Sequence, residues 1–152
     1  MSETPMTPVQ VLASLPQQEP FRFIDEILEL DDDHIVATYT FRPDADFYRG
    51  HFPGNPVTPG VILVEAMAQA GIVALGIHLV SQQEGFDPGK MMTLFTDANV
   101  EFGALVKPGD RVTIEAKRVF WRRRKLRSQA EMKLDDGTLV CSGTVSGMGV
   151  LR

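Results

Sequence analysis

This sequence has almost no cysteine. Cys141 is the single one in 152 residues, so no intrachain disulfide can form, and no Cys/His cluster has metal-ligand spacing. Both facts favour a reducing compartment, the cytoplasm, and a site that uses no metal. The first ten residues, MSETPMTPVQ, lack a basic region followed by an apolar run, so no secretory signal is expected. An excess of positive charge is missing as well. The balance is −5, and without a recognition-helix or RNA-motif pattern this argues against nucleic acid as a partner. Internal repeats and low-complexity tracts are absent. With 43% hydrophobic residues, a chain of this length suits one core, and residues 1–152 are expected to form a single domain.

What is present is one unusual stretch, GHFPGNPVTPGVILVEAMAQ, from Gly50 to Gln69. Its first half, His51 to Gly60, carries three prolines and two glycines in ten residues, stiff where proline fixes φ and permissive at glycine. A shaped loop is expected there. From Val61 to Val80 only Glu65, Gln69 and His78 are polar, and the leucines, alanines and methionine favour helix over strand. Thr58 is placed to cap this helix and Pro59 to sit in its first turn. Gly60 then lies among unpaired N–H groups at the positive end of the helix dipole, where negative charge on a ligand oxygen can be held. Gln69 stands four residues after Glu65, on the same face, and can orient the carboxylate.

Each of these residues also has a plain reading. A loop histidine is ordinarily a solvated or capping side chain, and Glu65 would be unremarkable at a solvent-facing position. A glutamate inside an apolar helix, however, is expected to have a raised pKa if unpaired, the condition for a general acid near neutral pH. The helix is also long enough to suggest a membrane span. Gly71, Gly76, the ionisable Glu65 and the lack of a second span favour instead a core helix wrapped by a sheet.

Along the chain, Thr7 to Leu15 reads as a short helix with a threonine cap and an early proline, ended by Pro16. Strands are predicted at Phe21 to Leu30, His34 to Phe41, Met91 to Phe102, Arg111 to Trp121, Leu126 to Leu134 and Thr138 to Ser146, and a polar loop at Gln82 to Gly89. Asp31, Asp32 and Asp33 read as a solvated turn. About six strands in succession with one long helix on one face imply an α+β fold with an antiparallel sheet. Lys117, Arg118, Arg122, Arg123, Arg124, Lys125 and Arg127 form a basic run without an acid among them. It reads as a solvated strand corner or as a docking patch for an acidic partner.

The stretch from Gly50 to Gln69 resembles the signature of the β-hydroxyacyl-acyl-carrier-protein dehydratases of fatty-acid synthesis, a hotdog-fold family, and weaker similarity runs from Phe21 through Val140. The resemblance implies a hotdog fold, a sheet wrapped around one central helix. It assigns catalysis to His51 and Glu65, the thioester carbonyl to the N–H of Gly60, orientation of the histidine to the carbonyl of Val57, and support of the acid to Gln69. It further implies dehydration of a (3R)-3-hydroxyacyl-acyl-carrier-protein to the trans-2-enoyl product in fatty-acid or related polyketide or polyene biosynthesis, with no cofactor. Relatives that also isomerise the new double bond carry aspartate on the helix, so Glu65 implies dehydration alone. The assembly implied is a homodimer or a trimer of dimers, with His51 of one subunit facing Glu65 of the other. The sequence departs from the family pattern near Glu101 and Gly103, where basic residues are usual, at Tyr48 and Arg49, and over Ser146 to Arg152. Two other readings stand beside this one. The chain is then a non-catalytic, carrier-binding partner in a hetero-oligomeric dehydratase, or a hotdog acyl-thioesterase that activates water with a carboxylate.

Overall fold

The computed structural model describes residues 5–151. A short helix α1 (Pro8–Ala13) is followed by strands β1 (Glu26–Leu30) and β2 (His34–Thr40), a tight turn (Asp46–Arg49), and the long helix α2 (Gly60–Val80). Four strands complete the chain: β3 (Met91–Phe102), β4 (Arg111–Arg122), β5 (Lys125–Leu134) and β6 (Leu139–Leu151). They form one antiparallel sheet in the order β1-β2-β4-β5-β6-β3. The α+β hotdog architecture expected from the sequence is the one observed.

The sheet's strands alternate as period-two burial requires. On β4, Val112, Ile114 and Ala116 are fully buried, and on β5 Leu126, Ser128, Ala130 and Met132 face the same way. These residues form the bed on which α2 lies. Each large apolar side chain buried there contributes on the order of 1.5–3 kcal/mol. Small residues let the backbone of the helix come close. A Cβ added at Gly71 would stand 3.0 Å from Ala116 Cβ and 3.3 Å from Ser128 Cβ, and the Ser128 hydroxyl donates to the Gly71 carbonyl at 2.6 Å.

That carbonyl belongs to a widened turn. Between the α-helical stretches Gly60–Ala68 and Leu75–Val80, residues Gln69–Ala74 are π-helical, and all six are buried. Single π turns of this kind recur inside helices at functional sites. The helix is long and apolar enough to cross a membrane by composition, but most of its apolar surface is spent on the sheet, as for a core helix.

The boundaries differ from the sequence reading in places. The first strand begins at Glu26, not Phe21, because Phe23 and Ile24 are both buried and the Phe23 N–H bonds a side chain of α2 instead of a neighbouring strand. The last strand runs on to Leu151, where Met91 to Phe95 of β3 pair with it. The β4–β5 hairpin turns on Arg123 and Arg124, both with left-handed φ (50° and 63°), as a two-residue turn of this hand requires.

Asp31, Asp32 and Asp33 are more than a solvated turn. Asp31 accepts from the N–H groups of Asp33 and His34. Asp32 lies 2.9 Å from Nε2 of the buried His78 and accepts from Gln82 at 2.8 Å. Asp33 pairs with Arg118 at 3.0 Å. The turn therefore ties the β1–β2 hairpin to the C-terminal end of α2, and His78, the third polar residue of the helix, is spent on this anchor.

Candidate active site

His51 enters the site from the tight turn before it, its N–H donating to the Phe47 carbonyl at 3.0 Å. Its peptide to Phe52 is cis, and the two rings stack with centroids 4.3 Å apart. Nδ1 lies 2.8 Å from the Val57 carbonyl oxygen, while the Val57 N–H donates back to the His51 carbonyl at 2.8 Å. A carbonyl can only accept, so Nδ1 carries the hydrogen and Nε2 presents the lone pair. One backbone carbonyl thus fixes both the tautomer and the ring plane, which is what a general base needs.

The loop then delivers the chain to α2. Thr58, expected from the sequence to cap the helix, does not. Its side chain is buried with Oγ1 2.6 Å from the Tyr48 hydroxyl, its N–H bonds the Val106 carbonyl, and the capping position falls on Pro59 without a side-chain bond. The uncapped end leaves N–H groups of the first turn for a ligand. Gly60 opens that turn. A Cβ there would meet the Phe102 ring at 3.2 Å, so glycine keeps this corner open.

Glu65 follows on α2, half-buried. Burial pushes its carboxyl above the usual glutamate range, and the hydrogen bond from Gln69 partly opposes the shift. The direction favours the protonated acid. Gln69 is fully buried and fully used: its amide nitrogen donates to Glu65 Oε1 at 2.9 Å and to the Phe21 carbonyl at 2.8 Å, and its oxygen accepts from the Phe23 N–H at 2.8 Å. The Phe23 donor decides the orientation of the amide. Because Oε1 of Gln69 must face an N–H, the amide nitrogen must face Glu65. Gln69→Leu is therefore expected to strand two backbone groups and to destabilise the fold by about 2–6 kcal/mol, at about 1–3 kcal/mol per unpaired group. A urea or thermal melt measures it.

Beside Glu65 lies a cavity of ≈ 180 Å³ whose walls include Gln17, Ile72, Leu94, Phe95 and Ser146. Ile72 and Thr93 also line a second, more apolar cavity of ≈ 40 Å³ under Trp121 and Leu126, toward the C-terminal half of α2. Within one chain the five sequence-predicted residues fall into two bonded groups, His51 with Val57 and Glu65 with Gln69, with Gly60 at the helix start. No hydrogen bond among the described residues joins His51 to Glu65. The backbone partners of Gln69 were beyond sequence reasoning, since Phe21 and Phe23 are 48 and 46 residues away.

The basic run is partly neutralised. Arg118 pairs with Asp33, and Lys125 and Arg127 with Asp97 at 3.8 and 3.5 Å. Arg122 and Arg127 also lie over the Phe120 ring. Lys117 and Arg118 stay exposed, as does the hairpin tip, Arg122 to Arg124. Arg124 lines a cavity with Val80 and Phe86, at the opposite end of α2 from Gly60.

Residues 15–144 match the family model described as a FabA-like domain. The chain belongs to the FabA-like domain family. Curated relatives match the chain over nearly their whole length. A 3-hydroxyacyl-[acyl-carrier-protein] dehydratase FabZ from Streptococcus pyogenes is 37% identical over 138 residues, covering 90% of this chain and 94% of the relative. The FabZ of Lactococcus lactis is 33% identical over 147 residues, 96% of each chain. Among solved structures, the dehydratase heterocomplex ApeI:P from Xenorhabdus doucetiae superposes with a TM-score of 0.75 at 17% identity, covering 96% of this chain and 91% of that one. A thioesterase from Haemophilus influenzae reaches 0.68 at 18% identity, covering 99% and 94%. At such identities the two structures speak for the fold of this FabA-like domain alone.

Proposed function

We propose that this FabA-like domain is a soluble, cytoplasmic dehydratase that converts a (3R)-3-hydroxyacyl thioester on an acyl carrier protein to the trans-2-enoyl thioester. The observation that carries the reading is the pairing of opposite proton states. Glu65 is biased toward its protonated form by burial and held by Gln69, while His51 has its lone pair presented by the bond to Val57. His51 Nε2 removes the C2 proton. Negative charge then grows on the thioester oxygen, where the N–H of Gly60 stabilises it. As the C3–O bond breaks, Glu65 delivers its proton and the hydroxyl leaves as water. The two adjoining apolar cavities beyond Glu65 give an acyl chain an apolar path away from the reacting carbons.

The active unit is a homodimer, or a trimer of such dimers, in which His51 of one subunit faces Glu65 of the other. Two features support this. β3 is a twelve-residue strand at the sheet edge with its Leu94, Phe95 and Phe102 exposed by 49%, 45% and 52%. A long apolar edge left in water is a template for pairing. His51 and Glu65 also belong to separate bonded groups within one chain.

Incubating the purified protein with a 3-hydroxyacyl-carrier thioester across chain lengths tests the reading. Enoyl product is expected. Free acid would favour the thioesterase reading, and no reaction would favour the non-catalytic partner. The likeness to ApeI:P and to a thioesterase keeps both alternatives in the assay. Retention of His51, Gly60, Glu65 and Gln69 together favours dehydration.

A further inference from the structure

The cavity beside Glu65 and the smaller one under Trp121 follow one another along α2. On the helix the lining passes from Glu65 to Ile72 in the first cavity, and from Ile72 to Val80 in the second. The facing strands keep the same order: β3 goes from Leu94 through Thr93 to Met91, and β6 from Ser146 to Gly147. Only Ile72 and Thr93 line both cavities. These two side chains are the partition between them.

The partition is held in place. Ile72 lies in the π-helical turn and is 4% exposed, and a β-branched side chain on a helix has one strongly preferred χ1 rotamer. Its Cγ2 methyl takes up space that β6 leaves open. A Cβ added at Gly147 would stand 2.5 Å from that methyl and 3.1 Å from Thr93 Cγ2, so the two methyl groups meet over the glycine. Gly147 has no left-handed φ. What glycine supplies here is room for Ile72, not backbone freedom.

The volumes differ in what they admit. The first cavity, ≈ 180 Å³, is somewhat larger than an apolar cavity of about 150 Å³ that takes a six-carbon ring. The second, ≈ 40 Å³, has room for about one group of water size, ~30 Å³. It takes no further chain while Ile72 stays where it is. Resting on the dehydratase reading above, we propose that Ile72, with Thr93 opposite it, is the stop that sets the longest acyl chain the site turns over. Each methylene added within the first cavity should raise kcat/KM about fourfold through its burial. Once about six carbons beyond C3 fill that cavity, the next one has to push Ile72 off its rotamer toward Trp121. From that length on, kcat/KM should fall.

Trp121 is the single tryptophan of the chain, so its emission reports the second cavity without any turnover. Wild type, Ile72→Ala and Thr93→Ala are compared in the full-length protein by two readings. One is kcat/KM for 3-hydroxyacyl-carrier thioesters of increasing length. The other is Trp121 emission during titration with saturated acyl-pantetheine thioesters of the same lengths, which cannot be dehydrated. Wild-type emission is expected to stay flat over the lengths that are turned over best. Ile72→Ala should raise the ratio of long-chain to short-chain kcat/KM about tenfold or more, and should change the emission at lengths where wild type shows nothing. Thr93→Ala removes the smaller half of the partition at a half-buried position and should move both readings the same way by less. It decides alone if Ile72→Ala, deprived of a core side chain, does not fold. A wild-type length profile in every folded variant, or wild-type emission that responds to the shortest chains, overturns the assignment. A wild-type protein that makes no enoyl product at any length instead overturns the dehydratase reading, while the emission titration still shows whether Ile72 limits the chain.

Discussion

Glu65→Gln is expected to lower the dehydration rate by about two to four orders of magnitude, the range spanned by a positioned acid or base. Glutamine fits the same space and can still meet the Gln69 amide, so the loss reports the missing proton rather than a missing contact. The fold should gain. Because burial raises the Glu65 pKa in the folded state, the folded chain holds that proton at pH values where the unfolded chain has released it. Its favourable contribution is complete below the unfolded value and is lost as pH rises through the raised folded value. Above the raised folded value the ionised carboxylate is therefore a liability, and there the neutral glutamine should give a Tm equal to or above wild type. Wild-type kcat should fall as pH climbs past the raised pKa, and a thermal melt beside a pH–rate profile reads both effects. A variant that turned over at near-wild-type rate would remove Glu65 from the role of acid.

Mixing His51→Ala with Glu65→Gln protein is expected to rescue activity from two nearly dead preparations. If each site takes His51 from one subunit and Glu65 from the other, a mixed dimer holds one site with both residues intact and one with neither. Random exchange makes half the dimers mixed, so recovery should reach roughly a quarter of the wild-type rate. Exchange is verified by native mass spectrometry of differently tagged subunits. Confirmed exchange with no recovered turnover would place both residues of each site on one chain, and a sedimenting monomer that remains active would do the same.

The candidate site was legible in the sequence to the extent that its parts are local. His51, Val57, Gly60, Glu65 and Gln69 occupy one stretch, where the prolines, the glycines and the isolated glutamate each carry a physical meaning. The six strands followed from alternation and turn residues for the same reason. What escaped was settled across the fold. Gln69 looked like a helper of Glu65, but its orientation is decided by the Phe23 N–H, and that bond is also why Phe21 to Asp25 are not strand. Thr58 looked like a cap because caps are local, yet Tyr48 takes its hydroxyl. The basic run looked unopposed because Asp33 and Asp97 lie outside it in sequence and beside it in space.

The widened turn of α2 has a bearing on how such a helix can vary. Each α-helical residue advances the side chains by about 100° around the axis, and a π turn takes up one residue more than an α turn. The stretch before it, bearing Glu65, and the stretch after it, bearing Leu75, His78 and Leu79, are thus out of phase with each other by about one residue. No single 3.6-residue stripe runs the length of the helix, so it reads as apolar on nearly every side. Removing one residue between 69 and 74 would put the two halves back in step. It would also swing His78 away from Asp32 and turn a different face of the second half toward the sheet. A helix shortened by one residue here is a different helix from Leu75 onward.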